Sequence, residues 1–301
     1  MSLAASVIVP TRNRASTLAL TLPRLLAQQL PADSWELLLA DDGSTDETAA
    51  IAEQCAAPPL RRLPGEHAGP ATARNRALAV ARGEVVVFAD DDVFVRADFV
   101  AAHLAAHREG PPAMVSGPII TATQIPDADA RVRPPLGYHR NALPTCNGSL
   151  PRAALERAGG FDAGFSEYGW EDMELALRLR ADGLSRRFAW AAPTWHYKPA
   201  GVAPDFACRL RLERERGAIG AHFYRRHPTF AVACLTKLWW PMRVADAALG
   251  ALLGLDAQVE RGLEGSAAPG ALSPAKRKLL LLHAEIAAGS RALRRNRAAR
   301  E

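Results

Sequence analysis

Short apolar runs, each stopped by polar residues, alternate with segments of helical spacing through the first two hundred residues. The runs over 6–10, 35–40 and 84–89 have the length of strands and end at a proline or at acids. Leucines between the first two runs recur three or four residues apart, which predicts a helix capped by Ser16 or Thr17. Repeated strand, helix and strand favour a mostly parallel, doubly wound α/β sheet.

The remaining pattern extends this prediction and then changes character. Helices are predicted over 48–54, 69–82, 96–107, 152–158 and 172–180, and strands over 60–63, 113–123, 185–191 and 194–197. The proline-containing stretch 124–146 predicts an irregular functional loop. From residue 206 onward the pattern is helical and arginine-rich, so we expect one domain over 1–204 and a helical extension over 205–301.

Three adjacent carboxylates, Asp90, Asp91 and Asp92, follow the apolar run over 84–89. Open α/β sheets bind ligands at the carboxyl ends of their strands. Neighbouring anions repel one another, and a divalent cation that bridges to phosphate oxygens relieves this repulsion. The stretch therefore predicts a metal and phosphate site, with a solvated acidic turn as the alternative. Neither a G-x-G-x-x-G nor a P-loop motif is present, which disfavours dinucleotide and P-loop sites.

Composition and charge narrow the class of protein. The 301 residues are 49% hydrophobic and carry a formal charge of +5, yet residues 271–301 alone contain eight Lys or Arg and two Glu. This basic tail argues against nucleic-acid binding by the body of the protein. The four cysteines are far apart and without a C-x-x-C motif, so neither a zinc site nor a disulfide framework is indicated.

The sequence also bears on the compartment. We see no secretion signal, and the apolar stretch 238–255 is interrupted by Pro241, Arg243 and Asp246, so we expect a cytoplasmic protein without a spanning helix. Trp239 and Trp240 beside basic residues predict peripheral contact with the inner face of a membrane. The alternative is a helix packed on the catalytic domain or on another subunit, as in a homodimer.

Five blocks of sequence resemble the ordered signature blocks of family-2 glycosyltransferases of the GT-A fold. They are Val-Ile-Val-Pro-Thr-Arg-Asn-Arg (7–14), Ala-Asp-Asp-Gly-Ser-Thr-Asp (40–46), Ala-Arg-Asn-Arg-Ala-Leu (73–78), Phe-Ala-Asp-Asp-Asp (88–92) and Gly-Trp-Glu-Asp-Met-Glu-Leu-Ala-Leu-Arg (169–178). The resemblance covers residues 6–199 and implies a nucleotide-sugar-binding half over 1–95 and an acceptor half over 96–204. Such enzymes transfer a sugar from a nucleotide donor to an acceptor hydroxyl with inversion at the anomeric carbon.

The resemblance assigns roles to the acids and to one histidine. Asp172 would be the base that takes the acceptor's proton, and Glu171 would position a sugar; capping of a helix by both acids is the alternative. Asp92 and Asp90 would bind Mn²⁺ or Mg²⁺, with His196 as third ligand or, alternatively, as a packed histidine.

The remaining candidates would contact the donor or the acceptor. Pro10, Thr11 and Arg12 would line the base and ribose, Asp42 would read the base, and Arg74 would meet base or phosphate unless it is a solvated helix arginine. Asp90 or Asp91 would reach the ribose, Asn147 and Gly148 would form a loop facing the donor sugar, and Trp170 would contact donor sugar or acceptor.

The expected function is that of a metal-dependent inverting glycosyltransferase that uses a UDP-sugar and a saccharide or lipid-linked acceptor in cell-surface glycan synthesis. GDP- and dTDP-linked donors stay open. One alternative is a nucleotidyltransferase, which is disfavoured because no glycine-rich loop follows the first strand. The other is a sugar-nucleotide-binding subunit without turnover, and intact acids at 90, 92 and 172 argue against it.

Overall fold

The structure, a computed structural model, describes residues 3–55, 58–127, 143–166, 169–199, 205–265 and 272–298. The chain divides into two compact units, of which the first comprises Met1–Ser166 and Glu171–Val202 and the second comprises Glu167–Trp170 and Ala203–Glu301. Most of the expected loop over 124–146 and the expected domain boundary near Pro204 lie outside the described residues.

The first unit is built from strands and helices that alternate along the chain. Its elements are β1 (Leu3–Thr11), α1 (Ala15–Leu26), β2 (Trp35–Asp41), α2 (Thr48–Gln54), β3 (Leu60–Pro64), α3 (Pro70–Leu78), β4 (Gly83–Ala89), β5 (Val93–Val95), α4 (Phe99–Arg108), β6 (Ala113–Ser116), β7 (Ile119–Ala122), β8 (Asn147–Pro151), α5 (Arg152–Arg157), α6 (Glu171–Ala181), β9 (Ser185–Phe188) and β10 (Thr194–Tyr197).

Seven of these strands form one sheet in the order β3-β2-β1-β4-β8-β6-β9. Strand β1 is parallel to β2 and β4, β2 is parallel to β3, and β6 is parallel to β9, whereas β8 runs antiparallel to both of its neighbours. Every residue of β2 is buried, which explains why its residues 37–40 form a continuous apolar run rather than an alternating one. The prediction of a mostly parallel α/β sheet is confirmed.

A second sheet of three strands, in the order β5-β10-β7, was not predicted. The single strand expected over 113–123 is wrong, because the chain leaves the large sheet at Gly117 and Pro118 and continues as β7 in the small sheet. Gly117 passes so close to the segment between β9 and β10 that an added Cβ would lie 2.2 Å from the carbonyl oxygen of Ala192. This close approach requires glycine at the change of sheet.

The loop expected at Asn147 and Gly148 is also wrong. Both residues belong to β8 in the interior of the large sheet, where Asn147 pairs with Ala89 and Gly148 pairs with Phe88. The stretch was read as a loop because asparagine, glycine and serine favour turns locally, but pairing with β4 and β6 overrides that preference.

Two predicted helix boundaries need correction for non-local reasons. Helix α1 begins at Ala15 rather than after Ser16 or Thr17, because Asp46 accepts a hydrogen bond from the Ala15 amide at 3.1 Å. Helix α3 ends at Leu78, short of the expected residue 82. Gly83 begins β4 instead of terminating a helix, and its amide donates to Ser6 Oγ at 2.8 Å.

The second unit is helical in its described part, as predicted. It contains α7 (Phe206–Arg226), α8 (Phe230–Leu235), α9 (Trp240–Leu253), α10 (Leu255–Leu263) and α11 (Pro274–Ala298). Its buried apolar core is formed by Leu210, Leu255, Val259, Leu280, Leu281 and Ala284. Among the described residues no helix combines the length and the apolar character needed to cross a bilayer.

Helices α7 and α11 approach each other closely at two glycines. A Cβ added at Gly217 would lie 2.0 Å from the carbonyl oxygen of Glu285, and one added at Gly289 would lie 2.7 Å from the carbonyl oxygen of Gly217. Backbone therefore meets backbone at this crossing, and glycine is required on both helices.

Candidate active site

The carboxyl ends of β1 and β4 lie side by side, because these strands are parallel neighbours in register. Thr11 at the end of β1 donates its hydroxyl to Asp91 Oδ2 at 2.7 Å, and Thr21 of α1 donates to the Asp91 carbonyl oxygen at 2.6 Å. Burial raises the pKa of Asp91 to about 6, although Arg14 and the Thr11 hydroxyl oppose the shift. The middle acid is thus bound to β1 and α1.

Asp90 and Asp92 converge with His196 of β10. One potential ligand atom from each of the three residues lies within 4.8 Å of the others, and His196 Nε2 lies 2.9 Å from Asp92 Oδ1. Strand β10 pairs His196 with Val93 of β5, which follows the acids directly. The unexpected small sheet therefore brings the histidine to the acids across a hundred residues of sequence.

This donor set is chemically suited to a divalent cation. Carboxylate oxygens suit Mg²⁺ and Mn²⁺, and an imidazole nitrogen favours Mn²⁺ over Mg²⁺ in the same set. Burial raises the pKa of Asp92, but the hydrogen bond and charge of His196, together with the charges of Arg14 and Lys198, outweigh burial and hold that pKa below its ordinary value. Burial raises the pKa of Asp90, and the opposing charge of Arg74 only partly offsets the shift.

Arg14 is a site residue that the sequence analysis missed. Its Nη2 donates to Asp92 Oδ2 at 2.7 Å and its Nε to Asp91 Oδ1 at 3.4 Å, while almost half of the side chain is exposed. Asn13 precedes it with a φ of +52° and is tied to the loop after β2 through Thr45. Arg12 belongs to the same block and is exposed, as Arg14 is, and its expected role toward base and ribose stays a prediction. The pattern alone did not distinguish the two.

Arg74 is buried and bridges two acids from different elements. Its Nη1 donates to Glu171 Oε1 at 3.1 Å and its Nη2 to Asp90 Oδ1 at 3.2 Å, and its guanidinium lies 5.6 Å from the centre of the Phe161 ring. Burial lowers the pKa of Arg74, but the charges of Glu171, Asp90 and Asp172 outweigh it and raise that pKa above its ordinary value. Arg74 is therefore a permanent cation within an acidic cluster, and the alternative of a solvated helix arginine is wrong.

Glu171 and Asp172 occupy the first turn of α6. Glu171 is buried against Arg74, whereas Asp172 is half-buried and its Oδ1 accepts from the Met173 amide at 2.7 Å. The positive end of the helix dipole favours the ionised form of acids in this turn. Burial is the main reason why the pKa of the Cys146 thiol lies well above its ordinary value, and the negative charges of Asp90, Asp172 and Asp92 raise it further. Asp172 thus belongs to the same electrostatic environment as the acids of β4.

Asp42 lies at the end of β2, as expected, and is bound to the segment before α3. Its carboxylate lies 2.7 Å from His67 Nδ1 and accepts from the amides of Ala68 and Gly69, each at 3.0 Å. The sequence analysis did not identify His67. These contacts fix the orientation of Asp42, whose role in reading a base stays a prediction, as does the role of half-buried Pro10.

Asn147 is directed into the protein interior. Its amide nitrogen donates to the carbonyl oxygens of Pro118 and Ala192, each at 2.9 Å, and to Thr194 Oγ1 at 3.1 Å. Its Oδ1 lies 3.0 Å from His103 Nε2. The side chain joins β8 to the segments that precede β7 and β10 and to the first residue of β10, so it supports the strand that carries His196.

Trp170 belongs to the second unit. Its indole nitrogen donates to the Arg216 carbonyl oxygen at 3.0 Å, and the Arg216 guanidinium lies 4.6 Å from the centre of its ring. The ring also packs on Phe223. Its expected role toward donor sugar or acceptor stays a prediction.

Comparison with known proteins identifies the family of the chain and supports its fold. The family model described as "Glycosyl transferase family 2" matches residues 6–168, more than half of the chain. "Validoxylamine A glucosyltransferase" of Streptomyces hygroscopicus subsp. jinggangensis is 29% identical over 279 residues, which cover 78% of this chain and 63% of that protein. The chain thus spans less than two thirds of the length of this relative.

Two solved structures show the same fold. The mannosyltransferase PcManGT from Pyrobaculum calidifontis, in complex with GDP-Man and Mn²⁺, has a TM-score of 0.60 and 22% identity and covers 97% of this chain and 87% of its own. Residues 1–349 of TarS from S. aureus, in complex with UDP-GlcNAc, have a TM-score of 0.55 and 20% identity and cover 99% of this chain and 92% of their own. The expected fold class is confirmed by these similarities.

Proposed function

The chain belongs to glycosyltransferase family 2, and from this we propose that it transfers a sugar, with inversion, from a nucleotide-sugar donor to an acceptor hydroxyl with the help of Mn²⁺ or Mg²⁺. The observation that carries the proposal is the convergence of Asp90, Asp92 and His196 at the end of β4. Arg74 joins this cluster to Glu171, the residue that precedes Asp172 at the start of α6.

Asp90, Asp92 and His196 would hold the cation, which when bound would neutralise the diphosphate of the donor and stabilise it as a leaving group. Three carboxylates follow one another here, and among the described residues the guanidinium groups of Arg14 and Arg74 contact them. Arg14 is half-exposed and can move toward phosphate oxygens, whereas Arg74 is buried and holds Asp90 in place. We therefore assign Arg14 to the diphosphate and Arg74 to positioning.

Asp172 is the proposed base. The acceptor oxygen attacks the anomeric carbon, the bond from that carbon to the diphosphate oxygen breaks, and the acceptor's proton passes to the Asp172 carboxylate. Half-burial leaves Asp172 accessible, and the start of α6 favours its ionised form. Glu171 is committed to Arg74, so we assign it to orienting the site rather than to proton transfer.

The donor is proposed to be a UDP-sugar and the acceptor a saccharide or a lipid-linked saccharide of glycan synthesis. One structural neighbour is titled as a complex with UDP-GlcNAc and another as a complex with GDP-Man and Mn²⁺. These complexes support a nucleotide-sugar donor as the class of ligand, and the choice between bases needs measurement.

The first test is calorimetric titration of the whole protein with UDP, GDP and dTDP, each with Mn²⁺ and with chelator. The proposal expects that one nucleotide binds much more tightly with Mn²⁺ than with chelator. Absence of binding for all three nucleotides, or equal binding with chelator, contradicts the metal-dependent donor site.

Two substitutions separate binding from chemistry. Asp92→Ala should abolish the Mn²⁺-dependent part of nucleotide binding, whereas Asp172→Asn should keep that binding and lower donor turnover by at least about a hundredfold. Asp98→Asn, which alters a half-exposed acid paired with Arg96, is the control and should leave both unchanged. Unchanged turnover in Asp172→Asn would remove Asp172 as the base, and binding without turnover of any sugar nucleotide by the unmodified protein would favour a binding subunit.

A further inference from the structure

Helix α9 presents an apolar surface to solvent over its whole length. Gly250 is its one buried residue among those described, and Leu252, which is 80% exposed, is joined by the exposed side chains of Met242, Val244, Leu249 and Leu253. Single exposed apolar residues are common on soluble proteins, but a continuous helical surface of this kind marks an interaction site.

Exposed aromatic rings continue this surface at the N-terminal end of α9. Trp240 and Phe230 are each 69% exposed, and Trp239, also exposed, packs edge-on against Phe230 with ring centres 5.9 Å apart. Tryptophan is enriched where protein meets the boundary between lipid and water, because its ring is apolar and its indole N–H is polar. We call the exposed residues of α8, the turn after it and α9 the α8–α9 surface.

Both charged side chains of α9 are bound to α11. Arg243 Nε donates to Ser290 Oγ at 3.1 Å, and Asp246 Oδ1 lies 3.0 Å from His283 Nδ1. The rest of α9 is therefore free of charge on the side that faces water. The polar side of α9 thus contacts its own domain, and its apolar side faces outward. Such a helix is stabilised when another apolar surface covers that outer side.

Basic residues surround the aromatic end. Residues 223–254 contain four Arg or Lys and one Asp. A cavity of about 420 Å³ between α9 and α11 is lined by three arginines and two acids, and one of the arginines, Arg294, is exposed. The arginines are Arg243, Arg291 and Arg294, and the acids are Asp246 and Asp256. Cations beside interfacial tryptophans favour a surface that carries negative charge, such as lipid phosphates.

We propose that the α8–α9 surface binds this protein to the surface of a membrane that contains anionic lipid. The 14 residues of α9 extend about 21 Å, short of the roughly 30 Å of a hydrocarbon core, so the helix would lie in the plane of the interface. A second copy of the chain is disfavoured as the occupant, because it would bring the same basic residues against each other. The inference does not depend on the proposed donor, metal or base.

The test is cosedimentation of the full-length protein with vesicles of phosphatidylcholine alone or mixed with phosphatidylglycerol. Binding is expected to the mixed vesicles and to weaken as salt is added, because the lipid charge is screened. Val244→Glu and Leu252→Glu in one chain should weaken binding at least about tenfold, since two exposed apolar contacts are replaced by anions. Leu20→Glu and Val80→Glu in one chain, which place the same two charges on exposed apolar residues of the first unit, are the matched control and should bind as the unmodified protein does.

Further measurements separate the two occupants. Brominated lipid in the mixed vesicles should quench tryptophan fluorescence, and Trp240→Phe should lose part of that quenching while circular dichroism stays unchanged. The proposal is overturned if the double glutamate variant binds mixed vesicles as strongly as the unmodified protein. It is also overturned if no vesicle binding is found and sedimentation equilibrium shows a dimer that the double variant converts to monomer.

Discussion

The guanidinium of Arg74 donates to Glu171 Oε1 at 3.1 Å and thereby joins α3 to the first residue of α6, 97 residues further along the chain. The same side chain reaches Asp90, so one cation fixes acids from two separate signature blocks. The next two residues of α3 also connect separate parts of the chain. Asn75 donates to the Phe161 carbonyl oxygen and accepts from the Phe161 amide, and Arg76 donates to the Asp41 carbonyl oxygen.

Replacing Arg74 by methionine should both destabilise the protein and lower its activity. The change leaves Glu171 buried without its cation, and removal of one member of a buried ion pair costs about 3 kcal/mol or more. Urea unfolding gives the free energy of unfolding. Arg96→Met, which breaks a half-exposed pair with Asp98, is the control and should cost under about 1 kcal/mol. Equal losses in the two variants would contradict the bridging role of Arg74.

Replacing Arg14 by glutamine should tighten the binding of Mn²⁺ in the absence of nucleotide. Arg14 contributes a positive charge 2.7 Å from Asp92 Oδ2, and its removal lowers electrostatic repulsion of the cation by an amount worth roughly threefold in affinity. Electron paramagnetic resonance of free Mn²⁺ measures this constant. With nucleotide present, the same variant should bind more weakly, because a contact with the diphosphate is lost. Unchanged affinity in both conditions would exclude Arg14 from the site, and Arg108→Gln on α4 controls for net charge.

Histidine 103 should make the fold sensitive to acid. Asn147 donates through its nitrogen, so its Oδ1 accepts from His103 Nε2, and His103 Nδ1, 2.9 Å from Ser149 Oγ, accepts the Ser149 hydroxyl proton. Burial lowers the pKa of His103 to about 4, whereas the unfolded chain has the ordinary value of about 6.5. Below that ordinary value the unfolded chain binds a proton that the folded chain does not, so stability falls as the pH drops toward 4.

The expected slope from His103 is about 1.4 kcal/mol per pH unit between the two pKa values. Urea unfolding at a series of pH values measures it, and His103→Gln should flatten the dependence by that amount. Nuclear magnetic resonance of the ring checks the cause directly. A ring that titrates near its ordinary pKa in the folded protein would contradict the explanation.

Replacing Asn147 by alanine should weaken metal binding from a distance. The change removes a donor from the carbonyl oxygen of Ala192, at about 1 to 3 kcal/mol for a buried group left unpaired, whereas the carbonyl oxygen of Pro118 keeps the Thr194 amide. It also frees the segments that hold β10. We expect lower stability together with weaker Mn²⁺ binding through displacement of His196. Thr194→Val removes one of the same contacts and should cause a smaller change in both. If stability falls but Mn²⁺ affinity stays unchanged, Asn147 stabilises the core without influencing the metal site, and the prediction is contradicted.

The sequence predicted those parts of the protein whose signals are local. The buried strands β1, β2 and β4 are apolar runs that end in polar residues, and the acids of β4 lie where the run stops. The small sheet was missed because it pairs β10 with β5 and β7, whose partners are separated by about a hundred and about seventy-five residues of chain. Only this pairing places His196 beside Asp92, so spacing alone could not decide whether the histidine was a ligand or a packed residue.

Other differences have the same origin in tertiary contacts. Asn147 looked like a turn residue until β8 placed it between β4 and β6, and Arg12 and Arg14 were equivalent by pattern until Asn13 turned the chain. The cap of α1 comes from Asp46, beyond the reach of any local capping rule. The sequence therefore predicts which residues have side chains suited to the site. Which residues those side chains contact can be seen only in the folded structure.

The meeting of Gly217 with the backbone of α11 has a consequence for how the chain can change over time. A shift of α7 by one residue would bring Arg216 or Ala218 against a carbonyl oxygen that now lies near glycine, where a Cβ has no space. A shift of α11 by one residue would do the same with Ala288 or Ser290. Insertions and deletions within α7 or α11 should therefore be poorly tolerated, and variation in length should be confined to the connection between α10 and α11. A deletion scan across this unit would show a sharp change in tolerance at the boundaries of the two helices.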